Sequence, residues 1–312
     1  MKTDPTLVTH GNGQNESDKC RGQRHRIGRF LSKPWSEKVK SIKYRWLRWF
    51  PSVPLPVKLP FGAWWLAEHD FCGVAVVLGG FENTERAFVE SFLRSGMVVI
   101  DIGAHHGFYT LLASKKVGPF GRVLAFEPSP RERKRLYRHV KLNLCKNVKV
   151  WDCALGRARG TAGLFVVDGS ETGCNSLRRP NASGATKTLS VSVSSLDECL
   201  EQEGIEHVDF VKLDVEGGEI EVLSGATRLL DRRPRPVFLC EVQEVRTAPW
   251  GYPAKDIVDY LRQGGFQWFS LSDVRGLSPI GCDQAEFDGN YVAIPEEKIA
   301  AVLGQGQKAS AC

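Results

Sequence analysis

Three acid-bearing stretches hold the residues of this chain that could do chemistry. In the first, the apolar run from Val98 ends in Asp101 and breaks into Ile-Gly103-Ala104-His105-His106-Gly107, after which Phe108-Tyr109-Thr110-Leu111 opens a helical pattern. Glycine at 103 and 107 lets the backbone approach a ligand more closely than any Cβ allows. The first turn of the new helix presents unpaired N–H groups. A carboxylate stands where a dinucleotide-binding turn has its first glycine, so the Gly-x-Gly core is missing. An acid there repels a pyrophosphate and suits a cation. The second stretch, Arg122-Val-Leu-Ala-Phe-Glu127-Pro128, also ends in an acid. It lies roughly twenty residues further on, the offset at which a carboxylate accepts both ribose hydroxyls of an adenosine. A nucleoside that carries positive charge meets both demands, and S-adenosyl-L-methionine, with its ammonium and sulfonium, is the cofactor expected. A nicotinamide dehydrogenase is disfavoured by the same turn.

The third stretch is Val208-Asp-Phe-Val-Lys212-Leu-Asp214-Val-Glu216. Period-two alternation predicts Lys212, Asp214 and Glu216 on one face as the strand leaves the sheet, at the carboxyl edge where such sheets bind ligands. For methyl transfer to a hydroxyl, Asp214 is the expected base or acceptor-orienting residue, and Lys212 the expected stabiliser of the developing alkoxide. The competing structural reading pairs Lys212 with Asp214 or Glu216 and makes Glu216 a cap for the next helix. Glu216, Glu241 at the end of a further strand, and Asn175 with Ser176 in a polar loop are candidate acceptor-binding groups. A surface acid and a solvated loop are the bland alternatives. No cluster of three metal-ligating oxygens or nitrogens is visible, so no metal site is expected.

Strand and helix patterns alternate around these stretches, the signature of a mostly parallel α/β sheet covered on both faces. Strands are expected at 98–101, 122–127, 148–152, 208–214, 236–241, 266–271 and 290–294, with 161–168 and 189–196 as a strand pair. Helices are expected after 129, over 218–230 and near 257–261. The loop 169–188 is rich in Gly, Ser, Asn and Thr. Arg131, Arg133, Lys134, Arg135 and Arg138 are expected to form a solvated helix face.

The chain has 312 residues, 42% of them hydrophobic, 25% charged and 10% aromatic, enough for one substantial core and an extension. Nine scattered cysteines without Cys-x-x-Cys predict buried free thiols in a reducing, cytosolic setting. The start is polar, unlike a signal peptide, and no apolar run could span a bilayer. The net charge of +6 is concentrated early. Arg21, Arg24, Arg26, Arg29, Lys33, Lys38, Lys40, Lys43, Arg45 and Arg48 face only Glu37. Trp35, Val39, Ile42, Trp46 and Trp49 or Phe50 recur there at helical spacing, and Pro51 stops the helix. Residues 1–60 therefore read as a basic, tryptophan-rich extension with an amphipathic helix near 35–50. Residues 61–305 read as the catalytic domain and 306–312 as a tail. The aromatic stripe is expected to pack on its own domain, with peripheral membrane contact as the alternative. Nucleic acid is not the expected partner, and oligomeric state is not legible.

Five blocks in fixed order resemble the FkbM-type methyltransferases, from about Gly80 to Pro295. They are Val-Ile-Asp101-Ile-Gly103-Ala-His-His-Gly107-Phe-Tyr-Thr, Gly121-Arg-Val-Leu-Ala-Phe-Glu127-Pro, Asn147-Val-Lys-Val-Trp-Asp-Cys-Ala154, Val208-Asp-Phe-Val-Lys212-Leu-Asp214-Val-Glu216-Gly-Gly-Glu219 and Arg235-Pro-Val-Phe-Leu-Cys-Glu241. His105-His106 departs from the Asn-Ile or Asn-Val more usual in that family. The resemblance implies a class I, Rossmann-like methyltransferase sheet with an antiparallel last strand. It also implies O-methylation of a sugar, glycolipid or natural-product hydroxyl, with a small molecule or glycan as the acceptor. The cofactor-contacting set on this reading is Asp101, Gly103, Ala104, Gly107, Phe108, Glu127, Pro128, Asp152 and Ala154. The alternatives are a methyltransferase acting on nucleic acid or protein, suggested by the basic arm, and a non-catalytic nucleoside-binding module.

Overall fold

Short apolar runs separated by amphipathic ones assemble here into a central sheet. A computed structural model describes residues 34–169, 172–181, 184–272 and 276–304. In chain order the strands are β1 (Leu55–Lys58), β2 (Trp64–Ala67), β3 (Val98–Ile102), β4 (Arg122–Phe126), β5 (Val148–Trp151), β6 (Cys153–Leu155), β7 (Gly160–Val167), β8 (Thr186–Ser194), β9 (Phe210–Leu213), β10 (Val237–Gln243), β11 (Phe266–Ser272), β12 (Gly276–Pro279) and β13 (Asp288–Pro295). Eight of them form one sheet in the order β12-β11-β13-β10-β9-β3-β4-β5. From β5 to β10 neighbours run parallel, and β13 inserts antiparallel between β10 and β11. The order reverses between β3 and β9, the crevice where open α/β sheets bind ligands. This is the Rossmann-like methyltransferase arrangement, with its antiparallel last strand.

The central strands are apolar on both faces because both are covered. Ile100, Ile102, Val211 and Leu213 face a core shared with helices Leu196–Gln202, Glu219–Ser224 and Lys255–Gln263. Val99, Phe210 and Leu239 face the opposite core, built with helix Phe108–Val117 and the β1–β2 hairpin. Asp101 and Lys212 are register partners on adjacent strands. By alternation they share the hairpin side with Val99 and Phe210.

Several expectations are revised. The hairpin β1–β2 and the edge strand β12 were not foreseen, since each strand is only four residues long. The helix expected over 218–230 is two pieces, Glu219–Ser224 and Thr227–Asp231, separated at Gly225, where a Cβ would lie 2.0 Å from the Gly156 carbonyl oxygen. Leu196 is not in β8 but opens a helix that Ser195 and Glu198 close with reciprocal hydrogen bonds. The basic face of helix Pro130–Leu142 is not simply solvated. Arg135 pairs with Glu68 and Asp70, and Arg133 Nη1 donates to the carbonyls of Glu127 and Pro128 at 2.9 Å. Cys72, Cys153, Cys199 and Cys240 are buried free thiols, but Cys145 and Cys174 are only half-buried and Cys282 is disulfide-bonded, which corrects the expectation that the cysteines are all buried free thiols.

Helix Trp35–Trp49 does form, but with the opposite face inward. Leu47 is fully buried and Tyr44 packs on the core, while Trp35, Ile42, Trp46, Trp49 and Phe50 are exposed. The own-domain packing expected of the aromatic stripe is therefore corrected. Residues 1–33, with Arg21, Arg24, Arg26, Arg29 and Lys33, and the 306–312 tail lie outside the described residues. Among the described residues no helix is long and apolar enough to cross a membrane.

The hairpin is tied to the glycine turn through helix Pro130–Leu142. Asn143 accepts from Trp64 N and donates to Trp64 O, both at 2.7 Å. Leu66 N donates to His139 Nε2 at 3.0 Å, and His139 Nδ1 lies 2.8 Å from the His106 carbonyl oxygen. Trp65 stacks on the His139 ring and meets Phe108 edge-on. Replacing this buried ring, Trp65→Ala, is expected to cost about 3–5 kcal/mol. Urea unfolding followed by circular dichroism reads that cost, and a loss under about 1 kcal/mol would show that the hairpin is peripheral to stability.

Candidate functional site

A cavity of about 560 Å³ opens at the carboxyl ends of β3, β4, β9 and β10, within the range of small-molecule sites. Asp101, Gly103, Ala104, Phe108, Glu127, Pro128, Ala154, Asn175, Lys212, Asp214, Glu216 and Glu241 all line it. Two sequence candidates do not. Gly107, at φ +91°, starts helix Phe108–Val117, and a Cβ there would meet Leu136 Cδ1 at 2.4 Å, so its glycine serves packing. Asp152 sits exposed between β5 and β6, away from the cavity wall.

At the glycine end, Gly103 has φ +79°, and a Cβ there would fall 1.7 Å from the Asp214 carbonyl oxygen. Only glycine lets the β3 and β9 exits lie this close. Its N–H and that of Ala104 both donate to the Phe126 carbonyl at 3.0 Å, which pins the turn to β4. Glu127 accepts from His105 N and Ser129 N, each at 2.8 Å. Burial nevertheless outweighs these bonds and pushes its carboxyl from the ordinary 4.5 up to about 8. Asp101 accepts the Thr110 hydroxyl, and burial raises it to about 6. Both are acids that a cationic or hydroxyl-rich ligand would satisfy and that apolar surroundings alone do not. The rings of His105 and His106 stack on each other, and burial holds both below the ordinary histidine range.

At the other end, Lys212 is 2% exposed. Its Nζ donates to Asp214 Oδ2 at 3.0 Å and Asn290 Oδ1 at 3.1 Å, and lies 5.5 Å from the centre of the Tyr109 ring. Burial disfavours its charge, but Asp214, Glu82 and Glu241 together hold it more firmly protonated than an ordinary lysine. Burial likewise disfavours charge on Asp214, yet the Lys212 ammonium wins and keeps this carboxyl below its usual range. Thus the ion pair weighed as an alternative for Lys212 is formed, with Asp214. β9 ends at Leu213, so the turn after it, with Glu216 at φ +59°, brings Glu216 to the cavity, in place of the strand alternation expected. Glu216 does not cap the following helix. That helix has no side-chain cap: Glu219, its first residue, accepts from Val215 N and Gly217 N of the turn before it, while Glu216 lies 2.8 Å from Arg246 Nε. Burial and the neighbouring Asp214 raise Glu216 to about 8 and push Glu241 well above the carboxylate range.

The absence of a three-ligand cluster is also corrected. Oxygens of Asp214, Glu216 and Glu241 lie within 4.8 Å of one another, as do ligand atoms of Cys72, His105 and His106. Lys212 and Arg246 each stand against one of the three carboxylates, Asp214 and Glu216 respectively. Asn175 Oδ1 accepts from Val167 N at 2.9 Å, and Ser176 Oγ donates to the Glu216 carbonyl, so this part of the polar loop is a wall of the cavity. Glu82, Tyr109, Arg246, Trp250 and Asn290 were missed from sequence. Tyr109 stood inside the glycine block. Asn290 reaches Lys212 because β13 sets it opposite Glu241, a register invisible before the pairing is known.

The raised carboxyls carry a pH signature. A carboxyl with a raised folded-state pKa stabilises fully below its unfolded value, and that contribution fades as pH rises through the folded value. Depressed histidines oppose this only up to about pH 6.5. Between about pH 6.5 and 8.5 the thermal midpoint of the ligand-free protein is therefore expected to fall, driven by Glu127 and Glu216, each at about 8. Scanning calorimetry checks this, and Glu127→Gln should flatten the slope. An equal slope in that variant overturns the assignment to Glu127.

The Methyltransferase FkbM domain matches residues 101–268, more than half of the chain. The chain is similar to Methyltransferase sdnD of Sordaria araneosa, 28% identical over 46% of this chain and 65% of the relative. It is also similar to Methyltransferase 1 of Beauveria bassiana, 28% identical over 41% of this chain and 57% of that one. These matches thus span less than two thirds of either relative's length. A segment of the antimetabolite synthetase AmbE of Pseudomonas aeruginosa, 11% of that protein, is 25% identical over 68% of this chain. Among solved structures, Methyltransferase FkbM from Methylobacillus flagellatus overlaps 83% of this chain and 60% of its own, at 15% identity and a TM-score of 0.38. On the domain match, the chain belongs to the FkbM methyltransferase family.

Proposed function

We propose that the protein is an S-adenosylmethionine-dependent methyltransferase that methylates a hydroxyl of a sugar, glycolipid or natural product. One observation carries this reading: a single cavity joins two buried, strand-end acids, Asp101 and Glu127, to a buried Lys212 paired with the half-buried Asp214. The residues at the glycine end fit the cofactor. Glu127 would accept the ribose hydroxyls, Asp101 would face the positively charged methionine part, and Gly103 and Ala104 would leave room beside them. When bound, the cofactor supplies an electrophilic methyl carbon.

The remaining work belongs to the chain's own groups. Holding an acceptor oxygen in line with that carbon is worth roughly 7–11 kcal/mol. Asp214, kept anionic by Lys212, suits hydrogen bonding to the acceptor hydroxyl and orienting it. A proton acceptor works best with a pKa near the operating pH, and Glu216, raised to about 8, meets that condition better than Asp214 does. Lys212 supplies positive charge where alkoxide character develops. The natural-product class is supported by similarity to AmbE, whose name describes an antimetabolite synthetase.

Calorimetric titration with S-adenosylmethionine, paired with a screen for S-adenosylhomocysteine release on sugar, glycolipid and small hydroxylated acceptors, tests the reading. Binding of NAD in its place would sink it. Asp214→Asn is expected to bind the cofactor within a few-fold of wild type and lose about 10²–10⁴-fold in turnover. Turnover near wild type would remove Asp214 from the chemistry. Turnover abolished by chelator and restored by a divalent ion would assign Asp214, Glu216 and Glu241 to a metal.

A further inference from the structure

Helix Trp35–Trp49 packs inward through the less apolar of its two faces. At about 100° per residue, Trp35, Ile42, Trp46 and Trp49 fall within roughly 60° of one another. Tyr44 and Leu47, the residues that pack on the domain, lie on nearly the opposite side. The outward residues are exposed, Trp35 at 76% and Trp49 at 64%, and Phe50 continues the patch. On the same projection Lys38 and Arg45 border the stripe on one side and Lys43 on the other, and Arg45 also sits over the Trp49 ring at 5.3 Å. The stretch of sequence just before this helix adds Arg21, Arg24, Arg26, Arg29 and Lys33.

We propose that this helix is an interfacial anchor that lays its tryptophan stripe into the headgroup region of an anionic membrane. An apolar stripe edged by lysine and arginine is what such a surface selects. Tryptophan is enriched at that depth because its ring is apolar and its N–H is not, and each nearby base adds electrostatic attraction to acidic lipids. A second copy of the chain would have to match a stripe bordered on both sides by bases with an equally basic stripe of its own. Charge complementarity therefore favours lipid. The placement has a consequence for the cavity. Helix Phe71–Leu78 packs against the anchor, the Lys40 side chain reaches to within 4 Å of a Cβ built on Gly79 at its end, and Phe71, 71% exposed, lines the cavity. One helix thus joins the anchor to the cavity rim.

Sedimentation of the full-length protein with phosphatidylcholine vesicles, with and without phosphatidylglycerol, is the test. The wild type is expected to pellet with phosphatidylglycerol vesicles and to be released by salt. Trp35→Ser/Trp46→Ser/Trp49→Ser should weaken this about tenfold or more, and Lys38→Gln/Lys43→Gln similarly. The thermal midpoint of the triple variant should stay near wild type, because the three rings are exposed. Brominated lipids should quench wild-type tryptophan fluorescence, a readout that needs no variant. Equal pelleting of wild type and triple variant overturns the proposal. So does absence of vesicle binding, or a wild-type dimer that the triple variant converts to monomer.

Discussion

A lysine ammonium buried at the end of the central sheet imposes the arrangement of everything around it. Removing a charge from water is costly unless it is paired and hydrogen-bonded. Lys212, on β9, meets that cost with Asp214 from its own strand exit, Asn290 from β13, the Tyr109 ring from the helix after β3, and the field of Glu82. Apart from Asp214, these groups come from segments distant in sequence, so the lysine's full set of partners forms only when the whole sheet edge is assembled. In return, the lysine keeps Asp214 ionised in a place that would otherwise protonate it, as burial does to Glu241 and Glu216 beside it. One cavity therefore contains a fixed anion in Asp214 and, in Glu216, a carboxyl raised to about 8.

The glycine end follows a different rule. Its acids, Asp101 and Glu127, have hydrogen bonds but, among the described residues, no ion pair of their own, and both are pushed upward by burial. That leaves unspent electrostatic demand at one end of the cavity and a compensated pair at the other. A ligand bringing positive charge gains most at the first, while a neutral hydroxyl is the better guest at the second. Such an asymmetry is what a reaction between a cationic donor and an uncharged acceptor requires.

Much of this was legible in the chain. The parallel strands announced themselves as apolar runs ending in acids, and Asp101, Glu127, Lys212, Asp214, Glu216 and Glu241 converge because each stands at or just past the carboxyl end of a strand. What was not legible depended on pairing or on orientation. The four-residue strands of the β1–β2 hairpin are too short for alternation to rise above chance. Asn290 acquires meaning only once β13 is known to run antiparallel beside β10. Gly107 and Asp152 belong to recognisable blocks, but one serves packing against Leu136 and the other faces solvent. The aromatic stripe of the first helix was visible as a period, yet periodicity cannot say which way a stripe points, and here the usual preference of apolar faces for the core is reversed.

Gly103 and the Asp214 carbonyl meet without a side chain between them. That contact is a seam where the wall that would cradle the nucleoside and the wall that would cradle the acceptor are the same two backbones. The spacing between the two halves of the cavity is thereby set by main chain alone, and any side chain at position 103 would have to part them.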